Sequence, residues 1–480
     1  MSEKNEFVDY SHLVEEKKEF LDQSFRDSVA TIDKRGKRNY IFPKKPVGKY
    51  YNWRTVASVI YLVVFFALPF IKIQDEPVFL FNVIDRKFIF FGQVFWPQDF
   101  FIFAIGFLTF MLFVILFTVI FGRVFCGWAC PQTIFMEMVF RKIEYWLDGD
   151  ANAQRRLKEM PWSAYKIRKR VVKMAVFYFI SFIIANFFLA YIIGMDSVLA
   201  MMKEGVAANA GTFISLLGFT TVFFFVYYWF REQVCIVVCP YGRLQGVLLD
   251  KKSIVVAYDY VRGEPRGHLK KDQPVTRYGD CIDCHACVRV CPTGIDIRNG
   301  TQLECVNCTA CIDACDDIMT KINRPRGLIR YESEENIAHS KKTKFNWRFA
   351  GYSVVLIALL SVLVILLATR DDVDARILRT AGQLYQEMPN GQISNLFNIK
   401  LANKTRHDVP VTLKLENIRG EIEVVARELI VPKESYFQTP FFVKIESALI
   451  TKRKTPIVMG VYQGKRKIET LKTTFLGPGY

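Results

Sequence analysis

Residues 281–292 read CIDCHACVRVCP and residues 305–316 read CVNCTACIDACD. Each is a C-x-x-C-x-x-C-x-x-x-C run, with Cys281, Cys284, Cys287 and Cys291 in the first and Cys305, Cys308, Cys311 and Cys315 in the second. Three thiolates on one tight loop take three corners of a cubane, and the loop cannot wrap round to the fourth. In the doubled bacterial-ferredoxin arrangement the fourth cysteine of each run therefore ligates the other cluster. The spacing predicts two [4Fe–4S] clusters, one on Cys281, Cys284, Cys287 and Cys315, the other on Cys305, Cys308, Cys311 and Cys291. Structural zinc commonly uses four ligands in C-x-x-C pairs, and a doubled three-plus-one run is not that spacing. Pro292 follows the first run, and Asp316 stands at the equivalent place in the second. His285 is expected to be exposed, because thiolates already fill the corners. Arg289 and Arg298 read as a solvated basic face, with an acidic electron-donor protein as the second reading.

Outward from this insert the chain is apolar. Of 480 residues 51% are hydrophobic and 15% aromatic, with 23% charged, which excludes disordered and collagen-like structure. The mean hydropathy of +0.16 averages very apolar stretches with ordinary polar ones, so a single soluble globule is not expected. Five uncharged stretches match a bilayer core of about 30 Å, which takes about 20 helical residues: Thr55–Ile71, Phe100–Phe121, Met174–Ile193, Gly211–Phe230 and Phe349–Thr369. About 50 polar residues precede the first, which argues against a cleaved signal peptide.

The net charge of +17 reads as positive-inside bias and attraction to anionic lipid, and no nucleic-acid partner is expected. Lys34, Arg35, Lys37, Arg38, Lys44, Lys45, Lys49 and Arg54 crowd the N-terminal segment. The loop from Arg123 to Lys173 is equally basic, whereas the stretch from Gly194 to Ala210 holds only Lys203. Alternation then puts the N-terminus, the Arg123–Lys173 loop and residues 231–348 in the cytoplasm, and the tail outside. The expected domains are a basic segment 1–54, a four-helix membrane region 55–230, a segment 231–348 with the ferredoxin unit at about 270–320, a fifth helix 349–369, and a tail domain 384–480. Short alternating runs in that tail, such as Val409–Leu415 and Pro456–Tyr462, predict a small β-sandwich.

The remaining cysteines form a second repeat. Arg123-x-x-Cys126-Gly-Trp-Ala-Cys130-Pro131 follows the second apolar stretch, and Arg231-x-x-x-Cys235-Ile-Val-Val-Cys239-Pro240 follows the fourth. Positions i and i+4 of a helix share a face, so each pair is expected to point into one gap at the membrane edge. Four soft sulfurs there suit Cu(I), a third iron–sulfur or other metal centre, or a redox-active thiol set; buried cysteines also serve as small hydrophobes. No histidine falls in the five stretches, so a membrane haem with two histidine ligands has no ligands there.

With these motifs laid out, the chain resembles the cytochrome c oxidase accessory family called CcoG, FixG or RdxA, over nearly its whole length. FCGWACPQ at Phe125–Gln132 and VCPYGR at Val238–Arg243 are similar to that family's membrane-edge motifs, which NapH-type quinol-dehydrogenase subunits share. The resemblance implies five transmembrane helices, a cytoplasmic ferredoxin-like insert and a periplasmic immunoglobulin-like C-terminal domain in a bacterial inner-membrane protein. It further implies reduction of Cu(II) to Cu(I) for assembly of a cbb-type cytochrome c oxidase. Oxidase-assembly machinery, copper chaperones or transporters and an electron donor would be its partners. Copper would be handled at or near Cys126, Cys130, Cys235 and Cys239. A relay subunit between quinol and a partner enzyme, and a non-enzymatic assembly factor, are the competing readings.

Overall fold

The computed structural model describes residues 31–478 except 33–36, 74–75, 84–86, 92, 96–98, 269–278, 340–346, 371–372, 381–383, 390, 406, 426–428, 434 and 451. Lys34, Arg35 and residues 1–30 of the basic segment lie outside the described residues, as does the beginning of the 270–320 stretch. Five helices are long and apolar enough to cross a bilayer: Lys49–Phe70, Phe100–Phe121, Ala164–Ile193, Ala210–Phe230 and Ala350–Ala368. The protein is a membrane protein. The third helix starts well before the apolar run at Met174, because Lys and Arg are good helix formers and Ser163 caps its start, accepting the Lys166 N–H at 3.3 Å.

The chain divides into two compact units. The first holds residues 1–80 and 106–359. Its membrane core is aromatic: Phe65, Phe135, Phe140, Phe177 and Tyr227 are all buried, with Phe140 stacked on Tyr227 at 4.7 Å between centroids. Phe135 and Phe140 come from Ile134–Phe140, a π-helical stretch after the second span. The ferredoxin-like part of this unit rests on an antiparallel pair, Val255–Tyr258 with Ile329–Glu332, and on helices Ala286–Val290 and Ala310–Lys321. Val256, Ile297, Ile312, Met319 and Leu328 fill its core.

This part is tied to the first span by one carboxylate. Asp313 accepts the backbone N–H groups of Tyr50 at 3.1 Å and Tyr51 at 2.8 Å, two orphan donors of that helix's first turn. Gly48 stands where any side chain would run into Asp313.

The second unit holds residues 81–105 and 360–480. One sheet has the order Glu421–Val424, Tyr436–Glu446, Gln392–Asn403, Val373–Arg379. The other orders Thr412–Leu415, Lys454–Gln463 and Arg466–Leu476. Alternate residues, among them Phe397, Phe441, Ile457, Met459 and Phe475, close the core between them. This is the expected sandwich, but it begins at Val373 rather than 384. The strand VDARILR carries three charges, which hid its inward Val373 and Ala375 from a hydropathy reading. At the start of the second span, buried Asp99 pairs with Arg370 at 2.5 Å and Lys404 at 2.7 Å.

Replacing Asp313 by Ala should cost about 1 kcal/mol of stability, the usual scale of a lost N-terminal cap. Asp313→Asn should retain part of it. Denaturant unfolding in detergent checks both.

Candidate iron–sulfur and membrane-edge cysteine sites

Both cysteine runs adopt the same unusual backbone. Asp283 (φ 54°) and His285 (φ 55°) are left-handed in the first, and Asn307 (φ 52°) and Thr309 (φ 64°) in the second. Each pair flanks the second cysteine of its run. Left-handed non-glycine residues are uncommon, and strained positions of this kind gather at functional sites. Loops that visit this region form concave, N–H-lined nests of the kind that hold Fe–S groups and phosphates. After each nest the chain enters a helix, at Ala286 and Ala310. The first helix stops before Cys291-Pro292. The second, lacking that proline, runs through Cys315 to Lys321, and Asp316 accepts the Gly327 N–H at 2.8 Å.

The crossed arrangement is compatible with the sulfur neighbours: Cys315 is influenced by Cys287, Cys281 and Cys284, and Cys311 by Cys308, Cys305 and Cys291 and least by Cys287. Burial pushes the thiols of Cys287 and Cys305 up to about 12 and that of Cys308 to about 11, with Arg298, the Asn307 amide and Arg54 respectively pulling down. Cys311 and Cys315 are raised as well, by burial first and then by their sulfur neighbours. Crowded thiols that resist ionisation alone become stable thiolates only against a metal's charge. Nest, burial and sulfur set all fit a [4Fe–4S] group at each loop.

Exposure differs between the two. Cys284 is half-buried beside exposed His285. The second loop instead packs on the membrane-edge motifs: Cys126 and Cys235 lie against the buried patch of Val290, Val306, Cys308 and Ala310. Gly127 makes this approach possible, since a Cβ there would sit 2.6 Å from the carbonyl oxygens of both Val306 and Asn307. Arg123 donates to the carbonyls of Leu303 and Gly242, and Arg54 Nε to that of Gly127 at 2.7 Å.

The four membrane-edge cysteines do come together: Cys235 is coupled to Cys130, Cys126 and Cys239. They do so without the continuous helices expected from the i, i+4 spacing. Cys130 (ψ 125°) and Cys239 (ψ 111°) are extended, because the following Pro131 and Pro240 bias them away from the helical region, and each proline opens a new helix. Cys235 lies in a π-helical turn, Val234–Val238. Burial pushes the thiols of Cys126 and Cys235 up to about 12, and the neighbouring sulfurs add to this. Among the described residues no three His, Cys, Asp or Glu side chains close round a single ion, so the four sulfurs are neighbours rather than a closed shell.

Two side chains of this pocket had no motif to mark them. Gln245, fully buried, accepts the Cys126 S–H at 3.1 Å and leaves its Nε2 unpaired; Thr133 faces Cys235. One expectation is corrected. Arg298 is no surface charge: it is 3% exposed and bonded to Asp296, Asp283 and His285 Nδ1. Arg289 is exposed and donates to the Cys284 carbonyl at 3.0 Å.

Comparison with known proteins agrees with this geometry. A "4Fe-4S dicluster domain" model matches residues 230–334, a "4Fe-4S binding domain" model residues 103–150, and a model described as the "IG-like fold at C-terminal of FixG" residues 363–478. Protein RdxB of Cereibacter sphaeroides is 36% identical over 77% of this chain and 80% of its own length. Protein RdxA of the same organism is 34% identical over 80% and 83%, and the nitrogen fixation protein FixG of Rhizobium meliloti 35% over 80% of each. The chain belongs to the FixG/RdxA family. A solved FixG-related protein from Vibrio parahaemolyticus aligns with 22% of this chain and 97% of its own, at 15% identity and a TM-score of 0.20. As a family member the chain is an iron–sulfur electron-transfer protein with 4Fe–4S binding domains, five membrane helices and an immunoglobulin-like C-terminal domain.

Gly127→Ala should disturb the second loop and spare the first. Iron analysis and EPR should show the cluster on Cys305, Cys308, Cys311 and Cys291 altered or lost, with the other unchanged. Cys284→Ser should do the converse, taking iron from about eight to about four per chain.

Proposed function

We propose that this chain is a membrane-bound cupric reductase serving assembly of a cbb-type oxidase, with the four-cysteine pocket as its copper site. The observation that carries the proposal is the seating of the Cys308 loop directly on Cys126 and Cys235. Bound at the two nests, [4Fe–4S] clusters supply one-electron redox chemistry, which matches a one-electron metal couple. One electron from a donor converts one Cu(II) to Cu(I), and soft thiolates favour that product. The exposed edge at Cys284 and His285 is the side for the donor, and the buried edge at Cys308 the side for copper. Oxidase-assembly proteins and copper chaperones or transporters would take the product.

On this reading the Lys- and Arg-rich ends face the cytoplasm, where thiols stay reduced, and the sandwich lies in the periplasm. A resident third metal centre is the second reading. It is favoured by Gln245 Nε2, a buried unpaired donor beside the sulfurs that an anionic centre would satisfy. With its amide turned over, Gln245 would donate to a Cys126 thiolate.

Protein reduced with dithionite should be reoxidised stoichiometrically by Cu(II). Cys126→Ser/Cys235→Ser should keep both ferredoxin cluster spectra and lose copper binding or reduction. Wild-type copper chemistry in that variant would leave these cysteines as packing residues, and about twelve iron per chain would favour the resident centre. A reporter after Tyr480 should behave as periplasmic and one near Gly300 as cytoplasmic.

A further inference from the structure

One polar cavity in the first unit is used by neither cysteine site. It measures about 140 Å3 and is walled by helix Arg141–Asp148, the third span and the end of the fourth. A charge network is buried in the wall: Lys173 Nζ donates to Glu144 and, at 2.8 Å, to Asp148 Oδ2, while Arg231 donates to Glu144. These two cations and two carboxylates balance. Lys158 and Arg170 also line the cavity and have no carboxylate partner among the described residues. Lys158 lies over the rings of Tyr40 and Phe42, at 5.8 and 5.6 Å.

Arg231 and Asp148, 5% and 3% exposed, are spent on the buried network. The surplus of two cations at the cavity asks for an anion. The depth is that of lipid headgroups. Arg170 and Lys173 stand just before the apolar run at Met174, Arg231 directly follows Phe230, and Trp162 and Trp229 are exposed at the same ends.

We infer that this cavity binds the headgroup of an anionic glycerophospholipid. Lys158 and Arg170 hold its phosphodiester. Basic pockets between spanning helices recognise such headgroups. An ethanolamine headgroup brings its own cation and leaves the surplus charge uncompensated.

The test uses the full chain in detergent, with native mass spectrometry and thermal unfolding in the presence of phosphatidylglycerol, phosphatidylethanolamine or inorganic phosphate. Phosphatidylglycerol should be retained and should raise the midpoint, and the other two should do neither. Lys158→Gln/Arg170→Gln should weaken retention about thirtyfold, as expected for two surface charges, while Lys158→Arg/Arg170→Lys keeps it. Unchanged iron content shows that a variant is folded; should the glutamine variant lose iron, the lipid comparison on wild type decides. Equal retention of phosphatidylethanolamine, protection by phosphate alone, or undiminished retention in a folded glutamine variant overturns the inference.

Discussion

The contact between the second cysteine loop and the membrane-edge motifs organises the first unit. It is a contact of backbones, made close by the missing side chain of Gly127 against Val306 and Asn307. Backbone polar groups buried at such an approach must be satisfied, and side chains do it. Arg54 takes the Gly127 carbonyl, and Arg123 takes those of Leu303 and Gly242. Tyr331 donates to the Asn307 carbonyl at 3.2 Å while accepting from Trp128 Nε1 at 3.1 Å. Because arginine is charged at any accessible pH, these anchors do not loosen with protonation.

The same need for satisfied polar groups explains why so many charges sit at this end of the helix bundle. Arg141, 2% exposed, is bonded to Glu137 at 2.9 Å, and Glu144 accepts from Lys173 and Arg231. Burial alone would raise the Glu144 carboxyl, but Arg231, Lys173 and Arg141 overcome it and hold it down at about 2. Buried pairs of this type contribute little net stability and lose much when one partner is removed. Their value here is positional. Arg231 adopts φ 51° between two π-helical turns, and it aims the chain so that Cys235 meets the other sulfurs.

Much of this was legible from spacing. The 4Fe–4S domains show in the cysteine spacing, the spans in hydropathy, and the sandwich in period-two alternation. Part of what escaped the sequence lies in contacts between residues far apart in the chain, and part in local features that hydropathy and spacing do not weigh. Gln245 and Thr133 carry no local signal and become site residues only because Pro240 and Pro131 restart helices beneath the sulfurs. Arg298 looked like surface charge, and only the fold closes Asp283 and Asp296 around it. The i, i+4 argument for each Cys pair reached a true juxtaposition by a route the chain does not take, since a proline after the second cysteine ends the helix at that residue.

The pocket's chemistry follows from its burial. Thiols that keep their protons up to about 12 are poor nucleophiles and poor redox partners by themselves. On the proposed reading a metal must displace the protons of Cys126 and Cys235 to bind, so the pocket would discriminate by thiolate affinity, and hard cations that prefer oxygen would gain nothing from four sulfurs. On the proposed reading this filters for copper at the reduction step. The reduced ion is the softer one and is held better than the oxidised ion, so holding the product favours electron transfer onto the substrate. A site built this way needs a nearby electron source more than it needs a rigid coordination shell. Its four sulfurs are gathered without being closed, and two of them, Cys126 and Cys235, lie against the patch that includes Cys308.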